Sequence, residues 1–129
     1  MVEEPIGALI YGYDEADAKV LEAYVRREFG EETMLMCASR LEELRISDIL
    51  ERSPWGRFEA KEVKVFMMLN FDEKMIQHAL RTFPKEKLGR PIYCTPTENN
   101  MGWPFYKLLA DLTEEDRYWK KQGGAPHQS

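Results

Sequence analysis

Four short apolar runs alternate along the chain with stretches in which apolar residues recur every three or four positions. The first run, Ile6 to Tyr13, is nearly continuous and predicts a strand hidden on both faces. Asp14 follows as an N-cap, with Asp17 three positions on, and Leu21, Tyr24, Val25 and Phe29 then fall at helical spacing up to a stop at Gly30. Thr33 to Ala38 is a second apolar run. Leu41, Leu44, Ile49 and Leu50 predict a short, weaker helix that ends near Ser53-Pro54, and Trp55 to Lys61 reads as an irregular connection. Val63 to Phe71 is the clearest strand, interrupted only by Lys64 and Asn70. Asp72 caps a helix with Met75, Ile76, Ala79, Leu80 and Phe83 on one face, and Pro84 ends it.

Pro91 to Thr95 is a short fourth strand, and a last helix begins near Trp103-Pro104 with Phe105, Leu108, Leu109 and Leu112 as its apolar face. Thr113-Glu-Glu-Asp116 has the spacing of a second capping box, which predicts a break in that helix before Tyr118 and Trp119. Gly123 to Ser129 reads as a disordered tail.

The order is β-α-β-α, twice, over about 6–53 and 62–120. Tyr13-Asp14-Glu15 corresponds to Phe71-Asp72-Glu73, and Cys37 is matched with Cys94. The expected fold is α/β, a four-stranded, mostly parallel, doubly wound sheet. The first and third strands are central and helices cover both faces. A ferredoxin-like α+β sheet with an added C-terminal helix is the alternative, since it also centres those two strands. A chain of 129 residues implies one domain, over 1–122, large enough to bury a core without staples.

Charge narrows the function. The formal net charge of −5 argues against nucleic acid or an anionic membrane as partner, since both select a basic face. No apolar stretch approaches a membrane span, and the start, MVEEPIGALIYGYDEAD, lacks the basic segment of a signal peptide. With only Cys37 and Cys94 present, no disulfide framework is encoded, and a cytoplasmic location is expected.

In open α/β sheets, ligands collect beyond the carboxyl ends of strands, near helix N-termini. The candidate ligand-binding residues are therefore Gly12 and Asp14 after the first strand, and Asn70 and Asp72 after the third. Thr95, Thr97, Asn99 and Asn100 follow the fourth, with Trp103 as an apolar wall. The competing reading is that Thr and Asn satisfy the backbone of an irregular turn. Asp14/Glu15 and Asp72/Glu73 start helices, where the macrodipole favours negative charge, so capping explains them better than acid-base chemistry. The two histidines, His78 and His127, do not make a metal site or a triad, and no Gly-rich nucleotide loop follows the first strand, so no cofactor is implied. Cys94 is the one candidate nucleophile, and only if its thiolate is stabilised. The expected function is a non-catalytic module that binds a small ligand or a protein. A thiol-dependent enzyme using Cys94 is the alternative, and a homodimer through the aromatic C-terminal helix (Tyr106, Tyr118, Trp119) is a third.

The second half also carries a family resemblance. The apolar strand Val63–Leu69, the helix start Phe71-Asp72-Glu73, the stretch Thr95-Pro96-Thr97 with Asn99 or Asn100 and Trp103, and the acidic, Leu-rich helix Leu108–Glu115 together resemble a family known as domain of unknown function 3783. The resemblance covers roughly 62–119, with residues inserted between Thr97 and Trp103, and it implies no activity.

Overall fold

Every residue from Gly7 to Tyr11 is buried, as the first apolar run requires, and these five residues form strand β1. In the computed structural model, residues 6–51, 58–98 and 100–121 are described, with side chains of the last helix as far as 115. The tail 123–129, Asn99 and the side chains of Tyr118 and Trp119 lie outside the described residues.

Helix α1 runs over Glu15–Phe29, and the Asp14 carboxylate accepts a hydrogen bond from the backbone N–H of Asp17 at 2.9 Å. Gly30, at φ 114°, stops it. Strand β2 is Met34–Cys37 and the short helix α2 is Ile46–Leu50. Strand β3 is Val65–Leu69, again wholly buried. Helix α3, Glu73–Thr82, starts as α1 does, with the Asp72 carboxylate accepting from the N–H of Met75 at 2.8 Å. A single-turn helix, α4, follows Pro84 over Lys85–Leu88 and was not evident from spacing. Strand β4 is Ile92–Cys94. Helix α5 runs unbroken over Phe105–Lys121, which corrects the break expected at Thr113. The Thr113 hydroxyl donates back to the carbonyl of Leu109 at 2.7 Å, a bond that a mid-helix threonine makes within the helix instead of capping a new one.

The four strands form one sheet in the order β2-β1-β3-β4. The first and third strands are central, and both outer pairings, β1 with β2 and β3 with β4, are parallel. The central pairing is antiparallel, with Gly7 opposite Leu69, Leu9 opposite Met67 and Tyr11 opposite Val65. The class is thus α/β with a mixed, mostly parallel sheet, and the doubly wound topology gives way at its centre. The ferredoxin-like alternative is not formed. It would also pair β1 and β3 antiparallel, but it would put β4 beside β1 and β2 beside β3, the reverse of the edges seen here.

With an antiparallel centre, the connection after β2 returns to β3 at the same end of the sheet and does not cross it. Much of this connection folds into α2 and into a segment that pairs with the chain ahead of α5. Arg45 bridges Pro104, the N–H of Ile46 donates to the Trp103 carbonyl at 3.0 Å, and that of Phe105 donates to the Leu44 carbonyl at 2.9 Å.

Alternate strand positions fall into two apolar clusters, as the period of two demands. Ala8, Ile10, Leu35, Cys37, Phe66, Met68 and Tyr93 pack with Leu21, Tyr24 and Val25 of α1 and Ala79 of α3. Leu9, Met36, Val65, Met67 and Cys94 pack with Ile46 and Ile49 of α2 and with Phe105, Leu108 and Leu112 of α5.

The halves share local detail. Strand β2 pairs with β1 at a step of 27 positions and β4 with β3 at the same step (34 − 7 and 92 − 65). Gly12 and Asn70, 58 apart, both have positive φ, 91° and 61°. Asp14 and Asp72, also 58 apart, cap with nearly the same backbone angles. At that spacing Cys94 corresponds to Met36 and not to Cys37. The two cysteines sit in different clusters, which corrects their earlier match.

Candidate functional site

The antiparallel centre decides what the strand ends can do together. The carboxyl end of β1 lies beside the start of β3, and the carboxyl end of β3 lies beside the start of β1. Gly12 and Asp14 therefore emerge at one end of the sheet. Asn70 and Asp72 emerge at the other, and because β4 runs parallel to β3, the loop from Thr95 to Trp103 leaves at that second end. The eight candidate residues that are described do not converge on one pocket.

At the first end, Gly12 is held at φ 91°, and a Cβ there would collide with the carbonyl oxygen of Val63. Its own carbonyl accepts from the backbone N–H of Lys61 at 3.0 Å and from the Lys64 ammonium at 3.0 Å. The Lys64 ammonium also donates to the Lys61 carbonyl and lies 5.7 Å from the centre of the Tyr13 ring. Lysine here locks the turn after β1, a role that no spacing pattern announced.

At the second end, the Thr97–Asn100 turn bonds to itself. The Asn100 side-chain oxygen accepts from the N–H of Thr97 at 2.8 Å, and the Thr97 hydroxyl accepts from the N–H of Asn100 at 3.1 Å. Two further backbone bonds, Met101 N–H to the Thr97 carbonyl and Trp103 N–H to the Asn100 carbonyl, each 3.0 Å, close the turn. Asn100 is buried, Thr95 and Thr97 are half-buried, and Asn99 lies outside the described residues. The Trp103 ring is half-buried with the Lys107 ammonium 4.3 Å from its centre. The carboxylates of Asp14 and Asp72 are engaged as caps.

The thiols are poorly placed for nucleophilic work. Burial pushes the Cys94 thiol up to about 12, with Glu115 adding to the effect. Burial also raises Cys37, although hydrogen bonding with Ser39 opposes the shift. A nucleophilic cysteine needs the reverse shift. Both cysteines are buried and neither is in a disulfide, and they sit on the two edge strands with β1 and β3 between them.

Among the described residues, the buried hydroxyls of Tyr13, Tyr93 and Thr33 have no hydrogen-bond partner. Burial holds the Tyr93 phenol up at about 12, and Tyr13 is raised by the same cause. Sequence reasoning missed them because tyrosine in an apolar run reads as core. The only hint was that Tyr13 stands where the second half has Phe71. Elsewhere, His78 Nε2 lies 2.7 Å from the Glu28 carboxylate and ties α3 to α1. An open groove of about 430 Å³ runs over Glu73, Lys74, Gln77 and Arg81 on the outer face of α3. Its lining carries both signs of charge and no cluster of acid-base groups.

Among the described residues, no group of three or more His, Cys, Asp or Glu side chains is placed to hold a metal ion, and no helix is long and apolar enough to cross a membrane. No curated protein and no solved structure matches the chain. Residues 64–119, spanning β3, α3, α4, β4 and most of α5, match the model described as Domain of unknown function (DUF3783), in agreement with the resemblance of the second half.

Proposed function

We propose that the protein is a non-catalytic binding module whose partner is another protein. A second copy of the chain is the proposed partner, in a homodimer through the first turns of α5. One observation carries this reading. Tyr106 is 57% exposed and lies in sequence between Trp103 and Lys107, whose ammonium is 4.3 Å from the centre of the half-buried Trp103 ring, and such exposed aromatic residues are enriched at interfaces. The small-ligand reading is weaker, since the polar groups of the Thr97–Asn100 turn are spent on each other. The thiol-enzyme reading is weaker still, since both thiols are held protonated.

The reading includes two statements about architecture. Helices cover the sheet on both faces, supported by the two separate apolar clusters. The chain is also a β-α-β-α unit repeated, supported by the equal register steps, the paired aspartate caps and the paired positive φ angles. A cytoplasmic location fits two cysteines outside any disulfide, and the net charge of −5 fits neither nucleic acid nor an anionic membrane as partner.

Sedimentation equilibrium tests the interface. The wild-type chain should sediment as a concentration-dependent dimer, and Tyr106→Asp, which changes an exposed side chain, should sediment as a folded monomer. A wild type that stays monomeric at every concentration overturns the homodimer, as does a Tyr106→Asp chain that dimerises as the wild type does.

A further inference from the structure

A two-fold axis relates the halves at their seam. At a spacing of 58, Leu9 corresponds to Met67, and these two residues face each other across the antiparallel pair at the middle of both strands. A second crossing point lies at the isolated bridge of Arg45 with Pro104, where the Ile46 N–H donates to the Trp103 carbonyl and the Phe105 N–H to the Leu44 carbonyl. This is the geometry of an isologous subunit interface, in which each surface meets its own equivalent. Here both surfaces belong to one chain.

Side-chain size breaks the symmetry. On the face shared with α1 and α3, Ala8 lies opposite Met68, and Ile10 lies opposite Phe66, all four buried. By the same spacing Ala8 is equivalent to Phe66, and Ile10 to Met68. A half paired with its own kind would set Phe66 against a second Met68, or Ala8 against a second Ile10. The first crowds the seam and the second leaves it underfilled, and close-packed interiors tolerate neither. The other face carries no such one-sided bias, with Gly7 opposite Leu69 but Tyr11 opposite Val65, so the specificity rests on the face shared with α1 and α3.

We infer that the half outside the matched family segment is a diverged copy that serves as the dedicated partner of the matched half, and that Ala8 and Ile10 against Phe66 and Met68 set this pairing specificity. The inference rests on the repeat proposed above. It adds an interaction surface, the partner that fits it, and the residues that exclude a half from pairing with its own kind.

The test mirrors the four residues across the axis in the full-length chain. Ala8→Phe with Ile10→Met makes both halves large, and Phe66→Ala with Met68→Ile makes both small. The fourfold variant restores each large-against-small contact with the halves exchanged. Urea midpoints should fall clearly in both twofold variants, and the fourfold variant should recover most of the loss. A fourfold variant that folds where a twofold one does not counts as recovery. If both twofold variants keep the wild-type midpoint, the size specificity is overturned while the repeat stands. If the twofold variants are damaged and the fourfold loss reaches their sum, or the fourfold variant fails to fold, the equivalence of the halves is overturned as well.

Discussion

Replacing Asn100 by alanine separates a turn that holds the fold from a turn that waits for a ligand. The Asn100 side chain is 3% exposed and its oxygen accepts the Thr97 N–H at 2.8 Å. Alanine leaves that N–H unpaired in a half-buried turn, which costs about 1–3 kcal/mol. The Thr97 hydroxyl returns the favour to the Asn100 N–H at 3.1 Å in a less buried place, so Thr97→Ala should cost about 1 kcal/mol, at the lower end of the same range. Because the two side chains act as one reciprocal unit, the double variant should lose less than the two single losses added, by about 0.5 kcal/mol or more. The turn also precedes the Trp103 carbonyl that receives the Ile46 N–H, so its loosening should spread to the start of α2.

Urea denaturation followed by circular dichroism reads these differences as shifts in midpoint at constant slope. Thermal midpoints should fall by about 3–5 °C per kcal/mol for a domain of this size. An Asn100→Ala chain within about 0.5 kcal/mol of wild type, the range of an ordinary surface change, would refute the reasoning. It would return the side chain to the list of groups free to bind.

Tyr13→Phe removes a buried hydroxyl that has no partner among the described residues and installs the residue type that stands 58 positions on, Phe71. It should leave stability unchanged or raise it by up to about 1–3 kcal/mol, and a clear fall in the urea midpoint would contradict this. Cys94 sets an alkaline limit. Its thiol is raised from 9.0 to about 12, so the folded state keeps a proton that the unfolded chain releases. Its contribution is therefore complete below pH 9 and is lost as pH rises towards 12. Cys94→Ala should flatten the fall of stability with pH in that window, whatever it does to stability at neutral pH, and an unchanged slope would count against the burial argument. A thiol reagent should label neither cysteine in the native chain and both after unfolding, and fast native labelling of Cys94 would revive the thiol enzyme.

Much of the fold was legible because it is local. Asp14 and Asp72 are caps whose geometry depends on a few neighbouring residues, and both helices begin where those aspartates stand. The burial of β1 and β3 on both faces followed from uninterrupted apolar runs, and this placed them at the centre of the sheet. Their relative direction did not follow, because a strand apolar on both sides carries no mark of which way its neighbour runs. That missing direction matters for the candidate residues, since a parallel centre would have gathered Gly12, Asp14, Asn70 and Asp72 at one end, whereas the antiparallel centre divides them between two. The loop was recognised as irregular, but whether Thr97 and Asn100 faced outward or each other depended on backbone angles that residue types do not specify. Lys64 escaped notice for a related reason. An ammonium capping two carbonyls is a tertiary contact between segments that periodicity treats as unrelated.

Proton–proton contacts across the central pair, measured by NMR on the labelled full-length chain, test the antiparallel seam most directly. The account predicts backbone contacts of Leu9 with Met67, of Gly7 with Leu69 and of Tyr11 with Val65. Contacts of Gly7 with Val65 and of Tyr11 with Leu69 would mean that the two strands run the same way, and the split site, the two-fold axis and the dedicated partner half would fall together.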